Sequence, residues 1–431
     1  MTIRRQRNGC RKWGFFLAKV GLIVLWFSIA FLSATTPTTC AQSPETSSCV
    51  ACHSDIWEEV KESVHGRQNI SCHHCHGGDP TAKDKESAKA LNTGYIGIPG
   101  KKQIAETCGN CHANVEVMNF YGVPTDQLAR YRTSVHGKKL FLEGNTKVAV
   151  CSDCHSYHDV LSVSDPNSPV YPLNIPKTCN RCHGSEALMK QYGLPTDIFE
   201  TYKKSVHGVA LFEKKDISAA TCVSCHGSHG AVPPGVKEIS SACGKCHVNE
   251  KKFFLESVHA KPMVQGRFSE CISCHGNHGI QPASKTLYQT TCIQCHGKSN
   301  PMEAVGKTIW QVLDRSEKKL KTAESLVKQA SIEGIFVEEE AGSLEEAKTN
   351  VISMAPLQHT LSVERITELA TKFSEVADKI ASQIHKKKQT LKWRKILLIP
   401  IWIFISVMAG ALWTKYKYLK AERKNDQSSK S

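Results

Sequence analysis

The sequence has few aromatic and few hydrophobic residues for a chain of its length. Phe, Trp and Tyr make up 7% of its 431 residues, and the hydrophobic fraction is 40%. A plain soluble enzyme fold built around a hydrocarbon core is therefore excluded. Acidic residues are also in deficit, because 40 Asp and Glu face 55 Lys and Arg, a formal charge of +15. Such an excess is typical of proteins that bind nucleic acid or anionic membranes, unless a bound group supplies the missing negative charge.

Long hydrophobic runs are confined to the two ends of the chain. Residues 20–34 carry no charge and follow a basic stretch, which predicts a signal peptide over residues 1–41, with an uncleaved N-terminal anchor as the alternative. Residues 396–413 also carry no charge and are just long enough to predict a transmembrane helix. Export of the segment between the two runs would leave residues 414–431 as a basic cytoplasmic tail.

Cysteine and histidine, by contrast, are abundant, with twenty residues of each. Eighteen of the cysteines belong to nine copies of C-x-x-C-H, and the fifth position is histidine in every copy. We number the copies in chain order as site 1 (Cys49–His53), site 2 (Cys72–His76), site 3 (Cys108–His112), site 4 (Cys151–His155), site 5 (Cys179–His183), site 6 (Cys222–His226), site 7 (Cys243–His247), site 8 (Cys271–His275) and site 9 (Cys292–His296).

Three kinds of chemistry use cysteine pairs at this spacing. Zinc sites need the pairs two at a time, and nine is an odd number. A disulfide within C-x-x-C does not join distant parts of a chain. Covalent haem attachment uses both cysteines as thioethers and the next residue, histidine, as an iron ligand. Only the third chemistry requires the histidine, so the sequence predicts nine covalently bound haem c groups.

This prediction assigns a role to each residue of the motif. The predicted thioether cysteines are Cys49, Cys52, Cys72, Cys75, Cys108, Cys111, Cys151, Cys154, Cys179, Cys182, Cys222, Cys225, Cys243, Cys246, Cys271, Cys274, Cys292 and Cys295. The predicted proximal iron ligands are His53, His76, His112, His155, His183, His226, His247, His275 and His296. The haems would form the apolar interior that the composition lacks. Their propionates, roughly eighteen negative charges, would offset the basic excess, so we expect no nucleic-acid partner.

The segment that carries the sites is repetitive. Residues 119–126 recur at 190–197, and the same offset relates Ser134-Val-His-Gly to Ser205-Val-His-Gly. Shorter versions begin at Ser63 and Ser257. We expect each module to contain a short helix that presents the histidine of Ser-Val-His in its last turn, and we expect Gly66, Gly137 and Gly208 to end three of these helices.

Two recurrent sets of histidines are candidates for the second, distal iron ligand. The Ser-Val-His set comprises His65, His136, His207 and His259, and the C-H-x-x-H set comprises His158, His229 and His278. These seven leave two irons without a partner. His74, which lies inside the cysteine loop of site 2, and His359, which lies beyond the last site, are the further candidates.

These modules resemble periplasmic multihaem c-type cytochromes. The nearest patterns are the decahaem electron conduits of metal-reducing bacteria and the pentahaem donor to nitrite reductase. The resemblance covers residues 49–296 and implies haems that each bind two histidines, lie in van der Waals contact and pass electrons along a chain. The C-terminal extension and its apolar run depart from those soluble relatives.

The expected fold is mostly α with much irregular coil, wrapped around stacked haems. Residues 42–300 would form a nonahaem cytochrome domain. Residues 301–395 have amphipathic periodicity and predict a helical hairpin or small bundle, whose second helix starts with a capping box at Ser343. The transmembrane helix would follow.

The expected function is electron transfer rather than catalysis, because iron with two histidines has no open position for a substrate. The chain would carry electrons between a quinol-linked membrane donor and periplasmic redox partners. It would be anchored in the lipid of the cytoplasmic membrane by its C-terminal span, with the haem domain in the periplasm. The alternatives are a subunit of a quinol dehydrogenase, whose partner would be a quinol-oxidising membrane subunit, and a multihaem reductase or oxidase of a small nitrogen or sulfur compound.

Overall fold

The computed structural model describes residues 47–232, 242–267 and 270–428, with side chains up to residue 421. The predicted signal peptide over residues 1–41 lies outside the described residues. Within these ranges the chain is mainly helical and contains no β-strand. The predicted fold class, mostly helical with a long apolar helix near the C-terminus, is confirmed.

Short helices joined by irregular chain make up the segment that carries the sites. Eight of the eighteen carry all or part of a C-x-x-C-H motif. They are α1 Ser48–Cys52, α2 Ser54–Glu62, α3 Cys72–His76, α4 Lys85–Ala88, α5 Lys101–His112, α6 Val115–Tyr121, α7 Gln127–Thr133, α8 Val135–Phe141, α9 Cys151–His155, α10 Ile175–His183, α11 Glu186–Met189, α12 Ile198–Lys203, α13 Val206–Phe212, α14 Cys222–His226, α15 Val248–Leu255, α16 Ala260–Val264, α17 Ile272–His275 and α18 Leu287–His296.

The Ser-Val-His segments form sharp corners between two helices. Helix α7 ends at Thr133, and the Ser134 hydroxyl accepts a hydrogen bond of 3.0 Å from the Gly137 N–H in the first turn of α8. His136 therefore lies in the first turn of a new helix. The expectation that it ends the preceding helix was wrong, because the serine hydroxyl caps a second helix at once.

Glycine follows three of the four Ser-Val-His histidines, at Gly66, Gly137 and Gly208, and allows the corner to be tight. A Cβ atom on Gly137 would overlap the carbonyl oxygen of Tyr131, at the end of the preceding helix. Gly208 lies in the same way against the carbonyl of Tyr202. Glycine is needed here for the close approach of two backbone segments.

We expect Gly137→Ala to destabilise the haem-loaded protein by about 1–3 kcal/mol, because the added methyl group overpacks the corner. Chemical unfolding followed by circular dichroism would measure the change. Gly342→Ala is the matched control, since a Cβ there meets no atom within 4 Å and alanine favours the helix that contains it. Equal stability of the two variants would contradict this role of the corner.

Three of the four corners are joined to a C-H-x-x-H loop further along the chain. The valine of Ser-Val-His donates its backbone N–H to a carbonyl two residues beyond the C-H-x-x-H histidine. The three bonds are Val64 to Val160 at 2.8 Å, Val135 to Ala231 at 3.1 Å and Val206 to Ile280 at 2.8 Å. One histidine from each recurrent set is thus held beside one from the other set.

Three long helices follow site 9, namely α19 Pro301–Ile332, α20 Glu338–Leu357 and α21 Val363–Ser428, with the 3-10 turn Gln358–Thr360 before α21. Their buried core includes Val327, Ala347, Phe373 and Ile380. The predicted helix start at Ser343 was wrong. Helix α20 begins five residues earlier, where three glutamates in its first turn interact favourably with the helix dipole.

Ion pairs define how the three helices are arranged. Lys319 pairs with Asp378 at 2.9 Å, and Glu333 pairs with Lys388 at 2.9 Å, so α19 and α21 run parallel. Helix α20 returns between them in the opposite direction, and its buried Glu340 is paired with Lys387 at 2.7 Å. The region is a three-helix bundle, and the turn 358–360 lies at its end remote from residue 396.

Helix α21 continues without a break from the bundle through the predicted span. The large apolar side chains of residues 396–413 are exposed along this part of the helix. By length and composition the helix can cross a membrane, with a mean hydropathy of 2.3 in its most apolar window.

Candidate haem-binding sites

Seven of the C-x-x-C-H motifs adopt one of two local structures. At sites 3, 5 and 9 the motif ends a longer helix, α5, α10 or α18. At sites 2, 4, 6 and 8 it forms a single helical turn, and the residue after the histidine has a positive φ angle, between 67° and 82°. The eighteen cysteines, all in the described part of the chain, form no disulfide bond. Both thiols of every motif are therefore available for attachment.

Eight of the nine proximal histidines lie opposite a second histidine. The pairs and the distances between their ring centroids are His76 and His158 at 6.4 Å, His112 and His65 at 6.1 Å, His155 and His229 at 6.0 Å, His183 and His136 at 6.1 Å, His226 and His278 at 5.9 Å, His247 and His207 at 6.3 Å, His275 and His359 at 6.2 Å, and His296 and His259 at 6.1 Å. The structure thus brings all seven recurrent histidines, together with His359, to a motif histidine.

These separations are those expected for two ligands of one metal ion. A histidine nitrogen binds a transition metal at about 2 Å, and the ring centroid lies roughly 1 Å behind that nitrogen. Two imidazoles on opposite sides of one metal ion then have centroids roughly 6 Å apart. The observed range, 5.9 to 6.4 Å, agrees with this value. With two thiols beside each pair, the donor set fits covalently attached haem.

Burial keeps the paired histidines in the form that binds iron. Burial lowers the pKa of His136, and the neighbouring His183 lowers it further. The same two causes, burial and then the opposing histidine, lower the pKa of His207 and of His278. The neutral imidazole, which carries the lone pair needed for a metal bond, is therefore favoured.

Hydrogen bonds orient two of these rings in the same way. The Nδ1 atom of His76 lies 2.9 Å from the Gly97 carbonyl oxygen, and Nδ1 of His359 lies 3.0 Å from the Pro356 carbonyl oxygen. A carbonyl only accepts, so Nδ1 carries the proton and donates it. The lone pair of Nε2 is then free for a metal ion, which is the usual arrangement of ligating histidines.

Cysteines of successive sites lie against one another. The thiols of Cys108 and Cys151 interact, which places site 3 beside site 4. Site 5 is beside site 6, and site 7 beside site 8, in the same way. The interacting cysteines are Cys179 with Cys222 and Cys243 with Cys271.

Each even-numbered site is also close to the odd-numbered site that follows it in the sequence. The second cysteine of the even-numbered site lies near a cysteine of that next site. Burial raises the pKa of Cys75, and Cys111 of site 3 raises it further. The corresponding neighbours are Cys154 with Cys179, Cys225 with Cys243, and Cys274 with Cys292. Sites 2 to 9 therefore follow one another in space in the order of the sequence.

Asp153, inside the loop of site 4, connects three sites and was not singled out from the sequence. Its carboxylate pairs with Lys101 of α5 at 2.8 Å, and its carbonyl accepts a hydrogen bond of 2.6 Å from Arg181 of site 5. A charged residue between the two cysteines was the only signal available in the sequence.

His359 reaches site 8 because the remote end of the helical bundle docks on the last sites. Two polar contacts hold it there. The Tyr288 hydroxyl donates to Gln358 at 2.9 Å, and Arg365 pairs with Glu256 at 2.5 Å.

Two of the predicted iron ligands, His53 and His74, do not form such a pair. His53 of site 1 has no opposing histidine ring among the described residues, which include all twenty histidines. The ring of His74 lies 4.0 Å, centroid to centroid, from that of His73, next to it in the loop of site 2.

The helical fold, the free thiol pairs and the opposed histidines fit a multihaem cytochrome of the c type. A family model described as cytochrome c554 and c-prime matches residues 242–324, which contain sites 7, 8 and 9 and most of α19. The match supports a c-type multihaem cytochrome family and implies covalently bound haem c. No curated protein and no solved structure matches the chain.

Proposed function

We propose that this protein is a membrane-anchored nonahaem cytochrome that passes electrons along one continuous row of haems. The observation that carries the proposal is the order of sites 2 to 9, in which cysteines of each site are neighbours of those of the next and every proximal histidine faces a second one. Such an order suits transfer from haem to haem, since each step joins neighbours.

The chain's own residues would hold each haem of sites 2 to 9 at four points. The two cysteines of a motif would attach it, and the motif histidine and the paired histidine would both bind its iron. Haem c, when bound, supplies a one-electron iron couple. The paired histidine keeps small molecules off the iron, and this favours electron transfer over catalysis at these eight sites.

The C-terminal helix supports the membrane part of the proposal. Its exposed apolar stretch over residues 396–413 would be buried in lipid. Lys392 and Arg394 precede it and Lys415 and Lys417 follow it, at positions that suit lipid headgroups on both sides. The haem segment would lie in the periplasm and exchange electrons with redox proteins or with a quinol-oxidising membrane subunit.

Voltammetry of protein attached at site 9 tests this function. Lys298→Cys adds an exposed thiol two residues after His296, through which the haem-loaded protein binds a gold electrode. We expect all nine haems to be reduced and reoxidised through this one contact, because each site contacts the next. Lys298→Ser, which has no thiol, is the control for non-specific adsorption. An electron count limited to the sites nearest the electrode would contradict a continuous row.

A further inference from the structure

The histidine pairs obey a positional rule. Each Ser-Val-His histidine precedes an even-numbered site and faces the odd-numbered site that follows it. His65, for example, precedes site 2 and faces site 3. Each C-H-x-x-H histidine lies just after one even-numbered site and faces the histidine of the previous even-numbered site. His158, for example, follows site 4 and faces site 2. His359 plays the same part for site 8, because it faces His275.

Site 1 is the one site that this rule leaves without a partner. By the rule, its second ligand would be a Ser-Val-His histidine located before the site. The sequence has no histidine before His53. Every histidine of both recurrent sets is already paired with another site.

Three other histidines remain, and their surroundings do not suit them to site 1. Nδ1 of His74 lies 3.0 Å from the backbone N–H and 3.3 Å from the carbonyl oxygen of Ser71, so this ring is held against the backbone of its own loop. No contact joins it to the ring of His53, although both residues are in the described part of the chain.

His73 stacks on His74 in the loop of site 2 and holds its Nδ1 buried without a hydrogen bond. His385 bonds to Gln389 near the far end of the helical bundle. Neither ring contacts the ring of His53.

The position of site 1 leaves the open side reachable from solvent. Helix α1 is held against the loop after site 2 by a hydrogen bond of 2.9 Å from the Ser48 N–H to the Pro80 carbonyl. Cys52 and His53 are exposed. Site 1 therefore occupies the end of the row that is remote from the helical bundle.

From this geometry we propose that the haem of site 1 has no second histidine ligand and binds a small exogenous ligand. The chemical class is that of small ligands of haem iron, namely diatomic gases and small nitrogen–oxygen anions. The proposal rests on the haem attachment of the proposed function. It adds to that function a ligand-binding site at one end of the row of electron-transfer haems.

Carbon monoxide is the probe that tests the proposal on the full-length, haem-loaded protein. We expect the reduced protein to bind one carbon monoxide per nine haems, and the oxidised protein to show one high-spin haem by electron paramagnetic resonance. Cys49→Ala with Cys52→Ala should remove one haem and all carbon monoxide binding. The matched control at the other end, Cys292→Ala with Cys295→Ala, should remove one haem and keep that binding.

Three results would overturn the proposal. The first is a wild-type protein that has nine haems but binds no carbon monoxide. The second is carbon monoxide binding that survives in the site 1 variant. The third is an additional carbon monoxide bound after His74→Ala. The haem number is measured by mass on the same samples. A low haem number would count against the proposed function itself, so the two failures are distinguishable.

Discussion

Removal of site 4 should reduce the number of haems that exchange electrons with the gold electrode from nine to five. In the Lys298→Cys background, Cys151→Ala with Cys154→Ala removes the haem between sites 3 and 5. Cys151 contacts Cys108 of site 3, and Cys154 is next to Cys179 of site 5. Sites 5 to 9 then stay connected to the electrode and sites 1 to 3 do not. Film voltammetry counts the electrons.

Removal of site 1 is the matched control for that experiment. Cys49→Ala with Cys52→Ala also deletes one haem, but at the end of the row, so eight haems should still respond. Both variants should carry eight haems by mass and similar helix content by circular dichroism. If eight haems respond in the site 4 variant as well, electrons bypass site 4 and the row is not linear.

Replacement of His359 by alanine should convert the haem of site 8 from low-spin to high-spin. Its imidazole lies 6.2 Å from that of His275, centroid to centroid, and is oriented by the Pro356 carbonyl. Without it, the reduced protein should bind one more carbon monoxide than the wild type. The end of the bundle should also loosen, and faster proteolysis near residues 358–362 would report this.

His385→Ala provides the comparison for His359. This second histidine of the bundle is exposed and bonds only to Gln389, one turn further along α21. Its loss should change neither the spin state nor the rate of proteolysis. If His359→Ala behaves like His385→Ala, then the bundle docks through Gln358 and Arg365 alone, and site 8 takes its ligand from elsewhere.

The sequence predicted the attachment sites and the recurrent histidines, because each of them belongs to a motif that repeats. It did not predict which histidine faces which site. His65 faces His112 rather than the histidine of either neighbouring site, and this choice depends on the bond from the Val64 N–H to Val160. A contact between residues so far apart leaves no local pattern in a single chain.

Local sequence signals for helix ends also gave wrong predictions where the same residues suit two different structures. Ser134 suits both the end of one helix and the start of the next, and the glycine at 137 decides for a corner. In the bundle, the capping box at Ser343 lies inside a helix that the acidic residues from Glu338 had already started. The parallel direction of α19 and α21 is set by core packing between α19 and the first part of α21, which periodicity alone does not reveal.

The parallel arrangement of α19 and α21 determines how far a redox partner has to reach. Helix α21 begins at Val363, beside the last sites, and meets its uncharged stretch only at Ile396. At 1.5 Å per residue this is a rise of about 50 Å. With residues 396–413 in lipid, the bundle would act as a spacer, and the haems of sites 8 and 9 would lie well outside tunnelling range of a cofactor within the bilayer. A membrane donor would need an extramembrane domain of comparable height, whereas a diffusing acceptor would find the haems at a high effective concentration near the membrane and clear of its surface.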